Sequence, residues 1–242
     1  MREKIRGIVI SIVRHTEKIN IVSLYTRERG RLSFLSPRGS GKAGKLRDAR
    51  LLPMAVIESD INFNPNKELQ RLGSFSLLSV WNDIYFHPMK RDITLFISEF
   101  LNRLLIASMA DPKLWDYVYN TFTLLDRSET RLADFHIVFL LSLLSFTGIR
   151  PDIQSYHPGD VFDMRTGSFS SRIPLHNDWI NPEDSEKILF LCRLNFSNIR
   201  ALKLTNSQRK NILNYLLKYY EIHYPGTSSL KSLDILSELY SS

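Results

Sequence analysis

The sequence predicts an α+β chain, with a small antiparallel β domain over residues 1–80 and a helical domain over 81–242 that carries an irregular inset at 152–181. Three observations predict it. Apolar residues alternate with a period of two through the first third, and from about Trp81 the period lengthens to that of a helix. Pro158, Gly159, Gly167 and Pro174 then punctuate the inset. With 43% hydrophobic and 24% charged residues, the 242-residue chain has the composition of a folded protein long enough to bury a core.

The β elements follow in order. Ile8, Ile10 and Ile12 fall two apart in GIVISIV, with β-branched residues between them, so the opening strand is expected to be buried on both faces. A turn at 15–18 leads to a second strand at 19–25. Gly30 separates that strand from a third at 31–36, where Leu32 and Phe34 share a face. The glycine-rich stretch 37–45 (PRGSGKAGK) reads as a loop. Strands at 51–59 and 69–75, joined by a turn at 62–67, complete a set of five. Five short strands in this length fit an OB-type barrel, or a half-open sheet of the same strands.

The helical part is equally patterned. Ile93, Ile97, Phe100, Leu101, Leu104 and Leu105 keep helical spacing, as do Trp115, Val118, Tyr119 and Phe122 behind an Asp111 cap and Pro112. An apolar helix ends near Gly148, with Pro151 beyond it. Its run at 135–146 contains His136 and is too short to cross a bilayer. Further helices are expected at 182–193, 206–219 and 230–240.

The net charge of +7 is unevenly placed. Residues 1–80 hold 15 Lys and Arg against 7 Asp and Glu, whereas residues 81–242 hold 17 against 18. A one-sided excess points to a polyanion, and without a basic amphipathic helix in that third nucleic acid is favoured over a membrane. The basic candidates are Arg27, Arg29, Arg31, Arg38, Lys42, Lys45, Arg47 and Arg50, against Glu28 and Asp48 alone in the same span. They could supply roughly four to six phosphate contacts with a steep salt dependence. Arg27, Arg29 and Arg31 share a face only if the segment is extended, and Gly30 permits a turn equally well. Of the nearby aromatics, Tyr25 and Phe34, the latter alternates with Leu32 like a core residue, which favours backbone binding without sequence preference.

Other chemistry is thin. Residues 39–45 fit the G-x-x-x-x-G-K spacing of a nucleotide-binding loop, but Leu46 stands where magnesium needs a hydroxyl. His157, Asp160, Asp163 and His176 match no zinc spacing and read as turn residues, and His136 reads as a core histidine. The single cysteine, Cys192, excludes an intramolecular disulfide and a cysteine-rich zinc site, and a reducing cytosol is expected. No catalytic constellation stands out, so the chain is read as a non-enzyme. The alternative to a nucleic-acid protein is a protein-interaction adaptor with an incidentally basic barrel.

In order and spacing, IRGIVISIVRHTEKINIVSLYT, RERGRLSF, PRGSGKAGK, LLPMAVIE, FHIVFLLSLLSFTGIRPD and LKSLDILSEL resemble the RecO family of bacterial recombination mediators. The resemblance implies an OB fold followed by a helical domain in a cytoplasmic, nucleoid-associated protein without a membrane partner. It implies binding to single- and double-stranded DNA and annealing of complementary strands. It also implies contact with the C-terminal tail of single-stranded-DNA-binding protein (SSB), and loading of RecA together with RecR. Many members carry a four-cysteine zinc motif after the long helix; here residues 148–169 contain no cysteine, which implies that the zinc is lost, with Phe162, Met164 and Phe169 packing the inset instead. Many also place consecutive arginines before the helix phenylalanine. Here Ala133 and Asp134 precede Phe135, leaving Arg131 and Phe135 as the residues implied for the SSB tail.

Overall fold

The structure, a computed structural model, describes residues 2–106, 108–129, 132–199 and 204–238. The α+β arrangement is present. Strands β1 (Arg2–Arg14), β2 (Ile19–Thr26) and β3 (Gly30–Pro37) form an antiparallel meander. After helix α1 (Gly41–Asp48), β4 (Val56–Asn62) returns beside β1, β5 (Leu69–Arg71) joins β3 in parallel, and β6 (Phe75–Ser79) extends the sheet past β4. The order is β5-β3-β2-β1-β4-β6, and no hydrogen-bonded ladder joins β4 to β5, so the sheet is not closed.

Alternation places the core. Ile5 and Val9 of β1, Val22 and Leu24 of β2, Phe34 of β3, and Ile57 and Ile61 of β4 fill one face of the sheet. Ile8 and Ile10 on the opposite face of β1 are buried as well, because helix α2 (Pro88–Leu104) packs there and Ser98 Oγ donates to the Ile10 carbonyl at 2.9 Å. Burial of a side chain of this size contributes about 1.5–3 kcal/mol.

Three expectations are corrected. The glycine-rich loop closes at Ser40, and α1 follows. It buries no residue of its own, so it carries no apolar stripe for sequence periodicity to detect. The fourth strand begins only at Val56, because Met54 takes a left-handed φ of 64° and its N–H turns back to the Val9 carbonyl. The fifth run divides at 72–74 into β5 and β6.

Helix α3 (Pro112–Arg127) starts at the expected cap, where Asp111 Oδ1 accepts the N–H groups of Lys113 and Leu114. The compact unit built on the sheet takes in Met1–Ser128 and Leu230–Leu236, and so includes α2, α3 and most of α7 (Ser232–Glu238). Glu99 on α2 accepts the N–H groups of Lys231 and Ser232. The change of period near residue 80 and the edge of this unit therefore fall at different places.

The second unit spans Glu129–Ser229. Its axis is α4 (Phe135–Thr147), which ends at Gly148 with a φ of 72°. Helices α5 (Pro182–Leu191) and α6 (Asn206–His223) accompany it. Two α6 tyrosines and the one that follows the helix fix the register, as Tyr220, Tyr224 and Tyr219 donate to the carbonyls of Leu140, Thr147 and Ile149 at 2.6–2.8 Å. The last two lie at the end of α4, where carbonyls lack helical partners. The inset is not irregular throughout. It holds a three-stranded sheet, β8-β7-β9, from Val161–Asp163 (β7), Ser168–Ser170 (β8) and Trp179–Ile180 (β9), strands too short for alternation to reveal. Phe162, Met164 and Phe169 are buried there, with the Phe162 ring 4.9 Å from Phe169 and 5.6 Å from Tyr219. Among the described residues no helix is long and apolar enough to cross a membrane.

Candidate nucleic-acid interface

The eight basic candidates divide into two groups of four. The first is tied into the fold. Residues 27–29 form a turn, and Gly30 enters β3 at a φ of 73°, where a β-carbon would lie 2.3 Å from the Ser108 carbonyl oxygen. The turn sends its arginines to separate partners. Arg27 forks onto Asp116 at 3.0 and 3.1 Å, and that hydrogen bond holds the Asp116 carboxyl below its usual range. Arg29 pairs with Glu3 and lies 3.9 Å from the centre of the Phe63 ring. Arg31 donates to the Asn102 carbonyl at 2.6 Å and to Asn102 Oδ1 at 2.9 Å, and its burial lowers the guanidinium pKa. Arg47 bridges the Pro37 and Gly73 carbonyls, with Ser36 Oγ and Asp48 within reach.

The second group faces solvent. Arg38 reaches one backbone carbonyl, that of Glu17, at 3.4 Å. Among the described residues Lys42, Lys45 and Arg50 are exposed and make no ion pair or hydrogen bond through their side chains. The one acid on α1, Asp48, is occupied by the Gly39 N–H and by Arg47. Lys42 and Lys45 stand three residues apart, on one face of α1. Gly39 and Gly44 pack so closely that a β-carbon on Gly39 would lie 2.0 Å from the Gly44 Cα. That contact closes the segment on itself, and Lys42 and Lys45 stand exposed on the outside of the helix.

Within residues 2–80 sequence reading passed over four more exposed cations that make no ion pair among the described residues. Arg14 and Lys18 lie at the β1–β2 turn, and Lys67 and Arg71 at the β4–β5 turn and β5. The Arg38 N–H donates to the Lys18 carbonyl at 2.7 Å, which brings these segments together. Their signal was the charge excess of the whole first third, which a window at 27–50 truncates.

Two family models cover most of the chain. Recombination protein O N terminal matches residues 1–81, and Recombination protein O C terminal matches residues 93–234. The chain belongs to the RecO family. Similar proteins named DNA repair protein RecO occur in Bacteroides fragilis, 34% identical over 99% of this chain and 100% of the relative, and in Phocaeicola vulgatus, 31% identical over the whole of both. Another occurs in Porphyromonas gingivalis, 33% identical over 97% of this chain and 98% of the relative. RecO proteins serve DNA repair and recombination, so a basic surface on the N-terminal unit stands in a family that handles DNA.

Of the two residues that the RecO resemblance implies for the SSB tail, Arg131 lies outside the described residues. Phe135 is buried at the head of α4, with its ring 4.7 Å from that of Phe196. Asp134 beside it is 1% exposed and pairs with Arg209 at 2.6 Å, a contact across 75 residues with no local sequence signal. His136 is buried, and desolvation, followed by the nearby Arg209 charge, depresses its pKa to about 3. In the inset, His157 pairs with Asp160 at 3.5 Å and His176 with Asp163 at 3.3 Å. Both acids also accept turn N–H groups. Among the described residues no group of three such side chains could hold a metal.

Proposed function

We propose that this RecO-family protein is a recombination mediator that binds single- and double-stranded DNA and anneals complementary strands without covalent chemistry. One observation carries the reading: Arg38, Lys42, Lys45 and Arg50 form an exposed cationic set around α1 with no ion-pair partner among the described residues. Neutralising phosphates on two strands with one such surface lowers their mutual repulsion, and weak exchanging contacts then allow base pairing to win. The reading extends to the partners that the resemblance implies, namely the SSB tail, RecR and, through them, RecA. The remaining proposals are a cytoplasmic, nucleoid-associated setting and an inset held by its aromatic core instead of by zinc.

Annealing tests the reading. Complementary oligonucleotides carrying a fluorophore and a quencher should pair faster with the protein than alone, and added salt should erase the gain. Spontaneous rates at every salt concentration would remove the annealing function. An acidic, phenylalanine-ended peptide that binds a protein unable to bind DNA would favour an adaptor.

A further inference from the structure

The C-terminal stretch of the chain is gripped by two glutamates, one in each unit. At the end of α6, Glu221 accepts the Gly226 N–H at 2.9 Å and the Ser228 N–H at 2.8 Å. Thr227 between them is fully buried, and its hydroxyl donates to the Tyr224 carbonyl. In the first unit, Glu99 of α2 accepts the Lys231 and Ser232 N–H groups at 3.0 and 2.9 Å, and the Ser232 hydroxyl at 2.7 Å. Desolvation works against the Glu99 charge, but the hydrogen bonds from Ser232 and Lys231 outweigh it and keep the carboxyl below its usual range.

Helix α7 depends on its grip. At seven residues it is well short of the length at which an isolated helix holds in water. The N–H groups at a helix start have no intrahelical partner, and Glu99 takes two of them here. Leu230 and Leu236 are buried in the same unit. Undocking and melting of α7 are therefore one event. The step from Ser228 in one grip to Lys231 in the other spans at most about 10 Å of chain. A short tether with a fixed near end keeps the effective concentration of α7 at its site high. We propose that residues 226–236 form a releasable clasp, in which Glu221 sets how firmly α7 docks and a change at the end of α6 is relayed to α2. Ser98, next to Glu99, donates to the Ile10 carbonyl of β1, so the relay ends on the sheet that carries the exposed cations. Coupling of this kind needs a two-state element biased from both sides, and α7 is that element.

Hydrogen exchange of the full-length protein, read by mass spectrometry, tests the clasp. In the wild type, amides 231–236 should exchange about tenfold more slowly than those of a free peptide of residues 229–242. Equal rates overturn docking, and that comparison needs no variant. Glu99→Gln should speed exchange at 231–236 about tenfold. Glu221→Gln should speed it about fivefold through the tether alone. Gly226→Ala should act in the same direction, because its β-carbon finds open space but its φ of 95° strains any side chain. A Gly-Ser-Gly-Ser insertion after Ser229 should abolish the response to Glu221→Gln and keep the response to Glu99→Gln. Amides of α2 around Glu99 should follow α7 in each case. Exchange that rises only at 226–228 in Glu221→Gln and Gly226→Ala makes the two grips independent and overturns the relay. A response to Glu221→Gln that survives the insertion, or α2 amides that ignore the opening of α7, overturns it as well.

Discussion

The turn at Arg27–Arg31 and the helix at Gly41–Asp48 are equally basic in sequence and opposite in use. In the turn, Arg27, Arg29 and Arg31 are spent on Asp116, Glu3 and Asn102. On the helix, Lys42 and Lys45 face solvent, and only Arg47, pointing back to the Pro37 and Gly73 carbonyls, is spent on the fold. Charge counted along a chain is therefore not charge available to a ligand. An arginine fork that already holds a carboxylate or a carbonyl would have to give up that bond to reach a phosphate.

The strongest break in this contrast comes from a cation that holds a buried acid. Arg209→Ala leaves Asp134 charged without its partner at 1% exposure, and should cost about 3–5 kcal/mol in denaturant unfolding. A loss below 1 kcal/mol would show that the pair is not held as described. Arg31→Ala strands the Asn102 groups and should cost about 2 kcal/mol, with little change in the salt dependence of DNA binding.

Buried and exposed groups should also part company in acid. The folded-state pKa of His136, about 3, lies below the value near 6.5 expected in the unfolded chain. The unfolded state therefore takes the proton first. The stabilisation is complete above about pH 6.5 and falls by about 1.4 kcal/mol per unit as the pH drops toward 3. Unfolding free energies measured across that range should show the slope, and His136→Leu should flatten it. The smallest effect belongs to Lys45→Ala, with a stability change within about 0.5 kcal/mol and a salt slope lower by about 0.7 for single strands. A melting temperature that falls sharply instead would place Lys45 among the structural cations.

Much of this was legible in the sequence where the signal is local. The alternation of Ile8 and Ile10 marked β1, and Asp111 with Pro112 marked the start of α3. Gly148 marked the end of α4, at a left-handed φ that disfavours side chains. What stayed hidden depends on contacts far along the chain. Helix α1 has no apolar face and is tied down by Asp48 on the Gly39 N–H and by Arg47 on carbonyls from 37 and 73. The candidate site was half legible for the same reason. Arg27 and Arg31 find their partners 89 and 71 residues away, so sequence proximity could not separate them from Lys42 and Lys45.

Which cations are free for DNA is tested most directly by one paired measurement. Single-strand affinity is followed against salt for Arg38→Ala with Lys42→Ala and Lys45→Ala, and for Arg27→Ala with Arg29→Ala. The triple variant should lower the slope of log K on log salt by about two with an unchanged melting temperature, and the double variant should lower the melting temperature with an unchanged slope. The reverse assignment, with the turn setting the slope and the helix setting stability, would contradict it.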